Sequence, residues 1–432
     1  MIDAVATRGY ADATIADAIT SAGVSRPTFY EYFADKNDCF VAALEAIQGK
    51  MVARARSAVE DGPPEQAVYI VIDALVDFAS TKTEQARVLL NEAMGAGTSA
   101  LDVRDQGLDA LGRLIETRYA DTDSAMVPDL PTRPLLGGIY RLLATRLRDR
   151  EASTAELRDD LFEWLNRYMT RCADHRCRQL RPLACLASPL IVEPPLAPHR
   201  RLGRSRTRAS SHELSENQRQ RLLSAAAHLA IQKGPSATTI TDLAREAGMD
   251  SRVLYRLFKG KEEIFLALYE LVFRRVLAAT AAGFHAGGTW PEKVWEAARV
   301  FARYAEQHPA LARASFIDSF ACDAEVVRRV DQLVSGFTIF LQEGFRYKPQ
   351  GDPPSPVALQ AIAATLFELG YLHVREERVD ELRGLVPHAS FIALTPFIGV
   401  GTCNAFIDGK LKEQAASRSG ATRRAKAATA SR

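Results

Sequence analysis

Residues 9–43 read GYADATIADAITSAGVSRPTFYEYFADKNDCFVAA, and residues 234–268 read GPSATTITDLAREAGMDSRVLYRLFKGKEEIFLAL. The two stretches align without a gap, so that every residue of one has a partner in the other at the same spacing. The identical pairs are Gly9/Gly234, Thr14/Thr239, Ile15/Ile240, Asp17/Asp242, Ala22/Ala247, Gly23/Gly248, Tyr30/Tyr255, Phe33/Phe258, Lys36/Lys261, Phe40/Phe265 and Ala42/Ala267. A gapless repeat within one chain indicates a duplicated module.

Each copy has the sequence pattern of a helix-turn-helix. In the first copy, Thr14 and Asp17 predict a capping box at the start of a short helix, with the carboxylate at the positive end of the helix dipole. Gly23 then allows the left-handed conformation that turns the chain. Ser25 caps a second helix, which we expect to run to Phe33. The equivalent residues of the second copy are Thr239, Asp242, Gly248, Asp250 and Phe258.

The pattern G-x4-T-I-x-D-x4-A-G-x6-Y-x2-F-x2-K-x3-F resembles the DNA-binding domain of TetR-family transcriptional regulators, and it occurs twice. The resemblance is specific over about forty residues in each copy. It is weaker elsewhere, where only helix spacing and the phrases GGIY at 137–140 and EWL at 163–165 resemble the C-terminal domain of that family. The resemblance implies an all-α fold of two tandem units. The alternative is a pair of unrelated helical hairpins with small-residue turns.

This organisation predicts six segments. They are a first helix-turn-helix domain at 1–46, a helical regulatory domain at 47–172, a linker at 173–212, a second helix-turn-helix domain at 213–270, a second regulatory domain at 271–409 and a basic tail at 410–432. The linker contains Pro182, Pro189, Pro194, Pro195 and Pro198, followed by a basic run of Arg200, Arg201, Arg204, Arg206 and Arg208. We expect the linker to be solvated or to contact phosphates, and the tail to be disordered.

The composition is that of a globular chain with several domains: 432 residues, 47% hydrophobic and 25% charged. No charged-then-apolar leader and no bilayer-length apolar run is evident, so we expect a cytoplasmic protein without a membrane partner. The six cysteines form no secreted framework and are expected to be reduced thiols. A net charge of +2 requires that any positive charge used to bind DNA be concentrated locally.

The first copy begins abruptly at Met1, which aligns with Ala226 inside the first helix of the second copy. It therefore lacks the counterparts of residues 215–225 and their basic side chains. We expect the natural start to lie upstream of Met1. An in-frame stop codon just upstream in the encoding DNA would contradict that expectation.

Between and after the two copies, apolar residues at helical spacing predict helices that pack on one another. The predicted helices are 66–80, 83–94, 101–119, 133–148 and 154–172, then 291–308, 309–320, 324–345, 356–374 and 385–396. By resemblance, such helices enclose a pocket for a small-molecule effector, and the last two of each unit form a four-helix interface. That interface would make either an intrachain pseudo-dimer or a homodimer. Six aromatic residues in these regions are interpreted as core: Phe78, Trp164, Tyr304, Phe316, Phe337 and Phe340.

A recognition helix directs its N-terminal side chains at base edges, while flanking donors contact phosphates of the double-stranded operator. The candidates in the first copy are Thr14, Ser25, Arg26, Thr28, Phe29, Tyr30 and Lys36. Those in the second copy are Thr239, Ser251, Arg252, Leu254, Tyr255, Arg256 and Lys261. A bidentate contact from Arg26 or Arg252 to guanine would give about 1–3 kcal/mol of discrimination. The two tyrosines are alternatively core rings with an exposed hydroxyl.

The two copies differ in charge. The first has Glu31, Asp35 and Asp38 beside Arg26 and Lys36, whereas the second has a basic set of Arg245, Arg252, Arg256, Lys259 and Lys261. We therefore expect the first copy to bind DNA more weakly, and the chain to favour an asymmetric operator with half-sites about 34–36 Å apart. The alternative function is an interaction or allosteric protein in which only the second copy binds DNA and the first serves dimerisation.

Catalysis and metal binding are poorly supported. The chain has no G-x4-G-K-[ST], no G-x-G-x-x-G and no H-E-x-x-H motif, so we expect neither an enzyme nor a cofactor. Cys172, His175, Cys177 and Cys185 form the spacing C-x2-H-x-C-x7-C, which matches no common zinc pattern. The sequence thus favours a ligand-responsive DNA-binding regulator, more specifically a repressor.

Overall fold

A computed structural model describes residues 1–120, 122–148, 157–183, 211–321, 324–347 and 353–430. Within these ranges the chain is almost entirely helical, as the sequence predicts. Below, residues up to 183 are called the first half, and residues from 211 onward the second half.

The first half begins with three short helices and continues with longer ones. Its elements are α1 (Ile2–Arg8), α2 (Ile15–Ala22), α3 (Arg26–Tyr32), α4 (Lys36–Asp61), α5 (Ala67–Thr81), α6 (Thr83–Arg87), α7 (Ala93–Gly95), α8 (Thr98–Tyr119), β1 (Met126–Pro128), α9 (Thr132–Arg148), α10 (Leu157–Asn166) and β2 (Met169–Arg171). A π-helical turn, Val88–Glu92, connects α6 to α7.

The second half repeats this order with a longer first helix. Its elements are α11 (Ser211–Ala237), α12 (Ile240–Ala247), α13 (Ser251–Leu257), α14 (Lys261–Ala286), α15 (Trp290–Gln307), α16 (Pro309–Phe316), α17 (Ala324–Gly336), α18 (Ile339–Gln342), α19 (Pro356–Arg375), α20 (Val386–Ile398) and α21 (Val400–Ala430). Helix α11 is kinked at Gly234, whose φ of 76° interrupts the helix.

The prediction of helices alone between 51 and 172 is wrong in one place. The strands β1 and β2 form an antiparallel pair in which Met126 lies opposite Arg171 and Pro128 opposite Met169. The predicted helix 154–172 therefore ends early, at Asn166. Such a short ladder has no periodicity of its own to detect, because its pairing is decided by the packing of the segments around it.

The two halves pack against each other through α9 and α19. We call the contact surface formed by α9 with α17 and α19 the seam. Gly137 and Gly138 allow the close approach: a Cβ atom on Gly138 would lie 2.8 Å from the backbone nitrogen of Thr365. The GGIY phrase thus marks the contact between halves. Tyr168 extends the same contact by donating to the carbonyl of Ile392 at 2.7 Å.

The predicted linker is packed on the protein where it begins. Asp129, which is fully buried, accepts the backbone N–H groups of Arg176, Cys177 and Arg178 at 2.9, 2.8 and 2.7 Å. Further along, the N–H of Leu183 donates to the carbonyl of Gly384. The linker therefore starts later than predicted, and its arginine run lies outside the described residues.

The segment predicted as a basic disordered tail, 410–432, is helical as far as Ala430. Helix α21 continues to Ala430, and Lys410 near its middle pairs with Glu292 at 2.9 Å. The segment is rich in Ala, Lys and Arg, which have high helix propensity, so the scarcity of large apolar residues does not prevent a helix.

One helix of the described residues, α19, is long and apolar enough by length and composition to cross a membrane. The expectation that the chain has no apolar run of bilayer length did not take this helix into account. It is weak evidence for a membrane segment, because 78% of its most apolar window is buried by other helices, as in the core of a folded domain.

Candidate nucleic-acid interface and effector cavity

Helices α2 and α12, which begin the two helix-turn-helix motifs, start with the expected capping box. Thr14 Oγ1 accepts from the N–H of Asp17 at 3.1 Å, and the Asp17 carboxylate accepts from the N–H and hydroxyl of Thr14 at 2.9 and 2.6 Å. These hydrogen bonds lower the pKa of Asp17. Thr239 and Asp242 repeat the geometry. Each threonine hydroxyl donates a hydrogen bond to an aspartate. Thr14 or Thr239 can therefore donate to a phosphate only if this hydrogen bond to the aspartate is broken.

The turn that follows is also as predicted. Gly23 and Gly248 adopt left-handed φ values of 65° and 61°. The next helix is capped by Ser25, which accepts from the N–H of Thr28, and by Asp250, which accepts from that of Arg252. Ser251 is the first residue of α13. The geometry fixes the direction of α3 and α13 relative to α2 and α12.

Five of the candidate side chains are exposed on these second helices. They are Arg26 and Tyr30 on α3, and Arg252, Tyr255 and Arg256 on α13. Tyr30 and Tyr255 keep 47% and 59% of their surface accessible, so neither is a core ring. Arg26 lies 6.0 Å from the ring centre of Tyr30, and Arg256 donates to Gln218 at 3.1 Å. The arrangement presents cationic and aromatic groups to a partner.

Two candidates are not available to DNA. Phe29 is 5% exposed and Leu254 is fully buried, because these aligned positions point into the three-helix core of each copy. Predicting them as DNA contacts was wrong. The signal was present in the sequence: both copies have an apolar residue at this position, as a core position requires.

The two candidate lysines have a structural partner. Lys36 Nζ donates to the carbonyls of Tyr10 and Ala11 at 2.9 and 3.3 Å, and it lies 4.4 Å from the ring centre of Tyr10. Lys261 Nζ likewise donates to the carbonyls of Ser236 and Thr238 at 3.1 and 3.2 Å. Each ammonium group thus holds the loop between the first two helices of its copy, rather than projecting freely toward a phosphate.

The two reading surfaces differ in register and charge. Arg26 aligns with Ser251 in the repeat, so Arg252 is one residue further along its helix, a rotation of roughly 100° about the helix axis. Residues 25–38 carry two basic and three acidic side chains, whereas residues 250–263 carry four basic and three acidic ones. The two surfaces are therefore not equivalent.

In the second copy, α11 covers the turn between α12 and α13. Arg221 on α11 donates to the carbonyl of Gly248 at 2.9 Å, and Arg219 lies 4.8 Å from the ring centre of Phe258. Phe258 is consequently buried, whereas its counterpart Phe33 is partly exposed. Val24, in the turn between α2 and α3, is 42% exposed.

A chain of polar contacts runs from the first reading unit to the second half. Glu92, in the π-helical turn, accepts from the N–H of Tyr10 at 2.7 Å. Its neighbour Asn91 accepts from Arg148 on α9 at 2.7 Å. Arg148 also pairs with Asp331 on α17, across the seam. Sequence reasoning did not detect this chain, because its members are far apart in the sequence. Burial raises the pKa of Glu92.

The second half contains an apolar cavity of about 210 Å³ between α14, α15, α16, α17, α19 and α20. Aliphatic side chains and six phenylalanines line it: Phe273, Phe301, Phe316, Phe337, Phe340 and Phe367. Tyr304 and His308 are among the few polar lining groups, and burial raises the pKa of Tyr304 to about 12 and lowers that of His308. Four of the six aromatics interpreted as plain core thus border a space for a ligand. We call this space the apolar cavity.

The three described residues of the possible zinc site, Cys172, His175 and Cys177, do not form a metal site among themselves. Cys172 Sγ lies 3.5 Å from the carbonyl of Tyr119, the N–H of Cys177 donates to Asp129, and His175 Nε2 lies 3.2 Å from the carbonyl of Val127. Cys185 is outside the described residues. Across the ranges that the structure covers, no three His, Cys, Asp or Glu side chains are placed to hold a metal ion.

Comparison with known families gives two matches in this chain. The family described as "Bacterial regulatory proteins, tetR family" matches residues 3–43 and again residues 222–268. These ranges contain the two capping boxes, turns and second helices described above. No curated protein sequence matches the chain.

Several solved structures of transcriptional regulators are similar to about two-fifths of the chain. The fatty acid degradation regulator FadR from Bacillus halodurans is 19% identical, with a TM-score of 0.36, and the match covers 40% of this chain and 96% of that one. FadR from Bacillus subtilis in complex with stearoyl-CoA is 16% identical over the same shares, with a TM-score of 0.36. The regulator PfmR from Thermus thermophilus is 22% identical, with a TM-score of 0.32, and the match covers 42% of this chain and 96% of that one.

Proposed function

We propose that this chain, a TetR-family transcriptional regulator with two tandem units, reads one asymmetric operator with its two non-identical recognition helices. Helix α3 would read one half-site and α13 the other. The single observation that carries the proposal is that both matched stretches present exposed arginine and tyrosine side chains on a capped second helix.

We infer that one chain supplies both halves of the binding unit. In support, α9 of the first half packs directly on α19 of the second, with Gly137 and Gly138 permitting the close contact. In this intrachain pseudo-dimer the predicted domains, 1–46 with 47–172 and 213–270 with 271–409, play the part of two subunits. A helix-turn-helix pair held at fixed separation reads two half-sites in one orientation.

We further propose that a small molecule in the apolar cavity releases the DNA, so that the protein acts as a repressor in the cytoplasm. The cavity is bordered by α17 and α19, which also form the seam. A ligand that fits only one arrangement of these helices shifts the population between DNA-binding and DNA-free states by its difference in affinity for the two.

A second candidate function is supported by the asymmetry of the copies. Residues 25–38 carry more acidic than basic side chains, whereas residues 250–263 carry more basic than acidic ones. In this alternative only α13 binds DNA, and the first unit serves to hold the second through the seam.

The test starts by selecting a binding sequence for the full chain from randomised duplex DNA. Gel shifts then compare Tyr30→Ala and Tyr255→Ala on the selected sequence. Two working recognition helices predict at least a tenfold loss of affinity for each variant and a selected sequence without two-fold symmetry. Loss for Tyr255→Ala alone supports the alternative. No loss for either variant overturns both readings.

Tyr32→Ala is the matched control. Tyr32 is 74% exposed, but it follows Tyr30 by two residues, so it points to the opposite side of α3. Its removal should leave the affinity for the selected DNA unchanged.

A further inference from the structure

A second cavity, of about 190 Å³, lies at the seam and is lined by both halves. Helix α9 contributes Arg141, Thr145 and Arg146, while Asp331 and Ser335 come from α17 and Gln360 from α19. Ser335 and Gln360 are exposed, so the cavity opens to solvent on their side. We call it the polar cavity.

The polar cavity adjoins the apolar cavity. Val334 and Ala363 line both, so these two side chains form the boundary between the two spaces. Each space is smaller than the roughly 300 Å³ at which ordinary ligand pockets begin. A ligand of usual size would therefore occupy both cavities, with its apolar part in the apolar cavity on one side of Val334 and its polar part in the polar cavity on the other side.

The charges of the polar cavity favour an anion. Asp331 already has two partners, Arg141 at 2.6 Å and Arg148. Glu368, the other carboxylate that acts on Arg141, is paired with Arg104. Within the described part of the chain, no acidic group lies within ion-pair distance of Arg146. One cationic side chain of the lining is thus left for a ligand.

We propose that the polar cavity binds a small anionic head group, a carboxylate or a phosphate monoester, of a ligand whose unbranched apolar tail fills the apolar cavity. This inference rests on the proposed role of the apolar cavity as the effector site. It adds the chemical class of the effector, and it assigns the recognition of its head group to arginines of the opposite half.

Occupation of the polar cavity would act on the first reading unit. An anion beside Arg141 competes with Asp331 for arginine donors, because both offer oxygen acceptors to the same guanidinium groups. Asp331 holds Arg148, Arg148 holds Asn91, and Glu92 beside it holds the N–H of Tyr10. Displacing Asp331 frees Arg148 and so loosens this chain of contacts at its end in the second half.

The test measures binding of four probes to the full-chain protein by titration calorimetry, each below its micelle concentration. Dodecanoate and dodecyl phosphate carry the small anionic head, dodecanol lacks the charge, and dodecanoyl-coenzyme A carries a head too large for the polar cavity. We expect either or both small-headed anions to bind at least tenfold more tightly than dodecanol. Equal affinity for dodecanol, binding of the coenzyme A ester alone, or no binding of any probe overturns the proposal.

Two variants locate the sites. Arg146→Gln should weaken binding of the anionic probe five- to twentyfold and leave dodecanol unchanged, whereas Arg113→Gln, an equal charge change on the exposed side of α8, should affect neither. Val334→Phe should close the boundary and weaken both the anion and the alcohol at least tenfold. If Val334→Phe does not fold, Ala363→Val tests the same boundary. Wild-type affinities in Arg146→Gln, or in the boundary variant, contradict the assignment.

The DNA readout is kept separate. If the anion binds with the expected dependence on Arg146 but the chain selects no DNA sequence, the ligand site stands and the proposed function fails. If selected DNA is bound but no probe binds, the ligand class is wrong and the reading function stands.

Discussion

Arg104 of the first half and Glu368 of the second half form a buried ion pair, with 2.6 Å between Nη2 and Oε1. Their side chains are only 5% and 1% exposed. Burial alone would lower the pKa of Arg104, but attraction to Glu368, Tyr371 and Asp105 raises it. Arg104 also lies 4.8 Å from the ring centre of Tyr371. The two halves are therefore joined by charges that have no access to water.

Removing one member of this pair should be costly. Glu368→Gln leaves the Arg104 charge buried without a counter-ion, and we expect a loss of about 3 kcal/mol in the free energy of unfolding. The double variant Arg104→Met with Glu368→Met removes both charges and should recover most of that loss. Urea denaturation measures both. A Glu368→Gln protein as stable as wild type would show that the pair is not desolvated.

The glycine contact at the seam gives a second prediction. Gly138→Ala places a methyl group against the backbone of Thr365, which cannot move aside, so we expect a loss of about 1–3 kcal/mol. Gly49→Ala is the control: it is also inside a helix but has no neighbour within 4 Å, and it should gain up to about 1 kcal/mol from helix propensity. Thermal denaturation of both variants should show shifts of opposite sign. Two shifts of the same sign contradict the close contact.

The charge difference between the copies can be tested by substituting one pair of aligned residues, Glu31 in the first copy and Arg256 in the second. Arg256→Gln should weaken binding to the selected DNA, since one phosphate contact is lost. The slope of log affinity against log salt concentration should become shallower by about 1. Glu31→Arg, at the aligned position of the first copy, should strengthen binding about three- to tenfold at low salt. Binding titrations at several salt concentrations measure both. An unchanged affinity for Glu31→Arg would indicate that α3 does not approach the DNA.

The ion pair between Lys410 of α21 and Glu292 should contribute less to the stability of the protein as the pH falls into the acid range. Lys410 and hydrogen bonds from Thr289 lower the pKa of Glu292 from 4.5 to about 2. A carboxyl whose pKa is lower in the folded state adds stability above its unfolded pKa, and that contribution disappears as the pH falls from about 4.5 toward 2. Glu292→Gln lacks it at every pH. The difference in melting temperature between wild type and variant should therefore be largest near pH 6 and vanish near pH 2. A difference independent of pH would exclude this ion pair as its cause.

The local rules of the sequence were enough to predict the reading units. The capping boxes at Thr14 and Thr239 and the left-handed turns at Gly23 and Gly248 depend on neighbours within four residues, and the structure has them as expected. The identity of the DNA contacts was less accessible. Phe29 was predicted as a DNA contact although its aligned residue, Leu254, is also apolar, and the shared apolar character indicates the core position that both occupy.

Features made by distant segments were not predictable. Asp331 meets Arg141 and Arg148 only because α17 of one half lies beside α9 of the other, and no pattern within either helix indicates this. The same holds for the polar cavity. The phrase Gly137-Gly138 was noticed, but only the structure shows that Thr365 and Glu368 fill the space that it leaves.

The buried charges at the seam are distributed unevenly: arginines at 104, 141 and 148 face carboxylates at 331 and 368. The more exposed pair of Arg375 with Asp102 has the opposite polarity. Two copies of the first half would bring these arginines together without the carboxylates of Asp331 and Glu368. Because the two faces of the seam lie in one chain, a substitution on one face is not mirrored on the other. The two halves can therefore diverge separately.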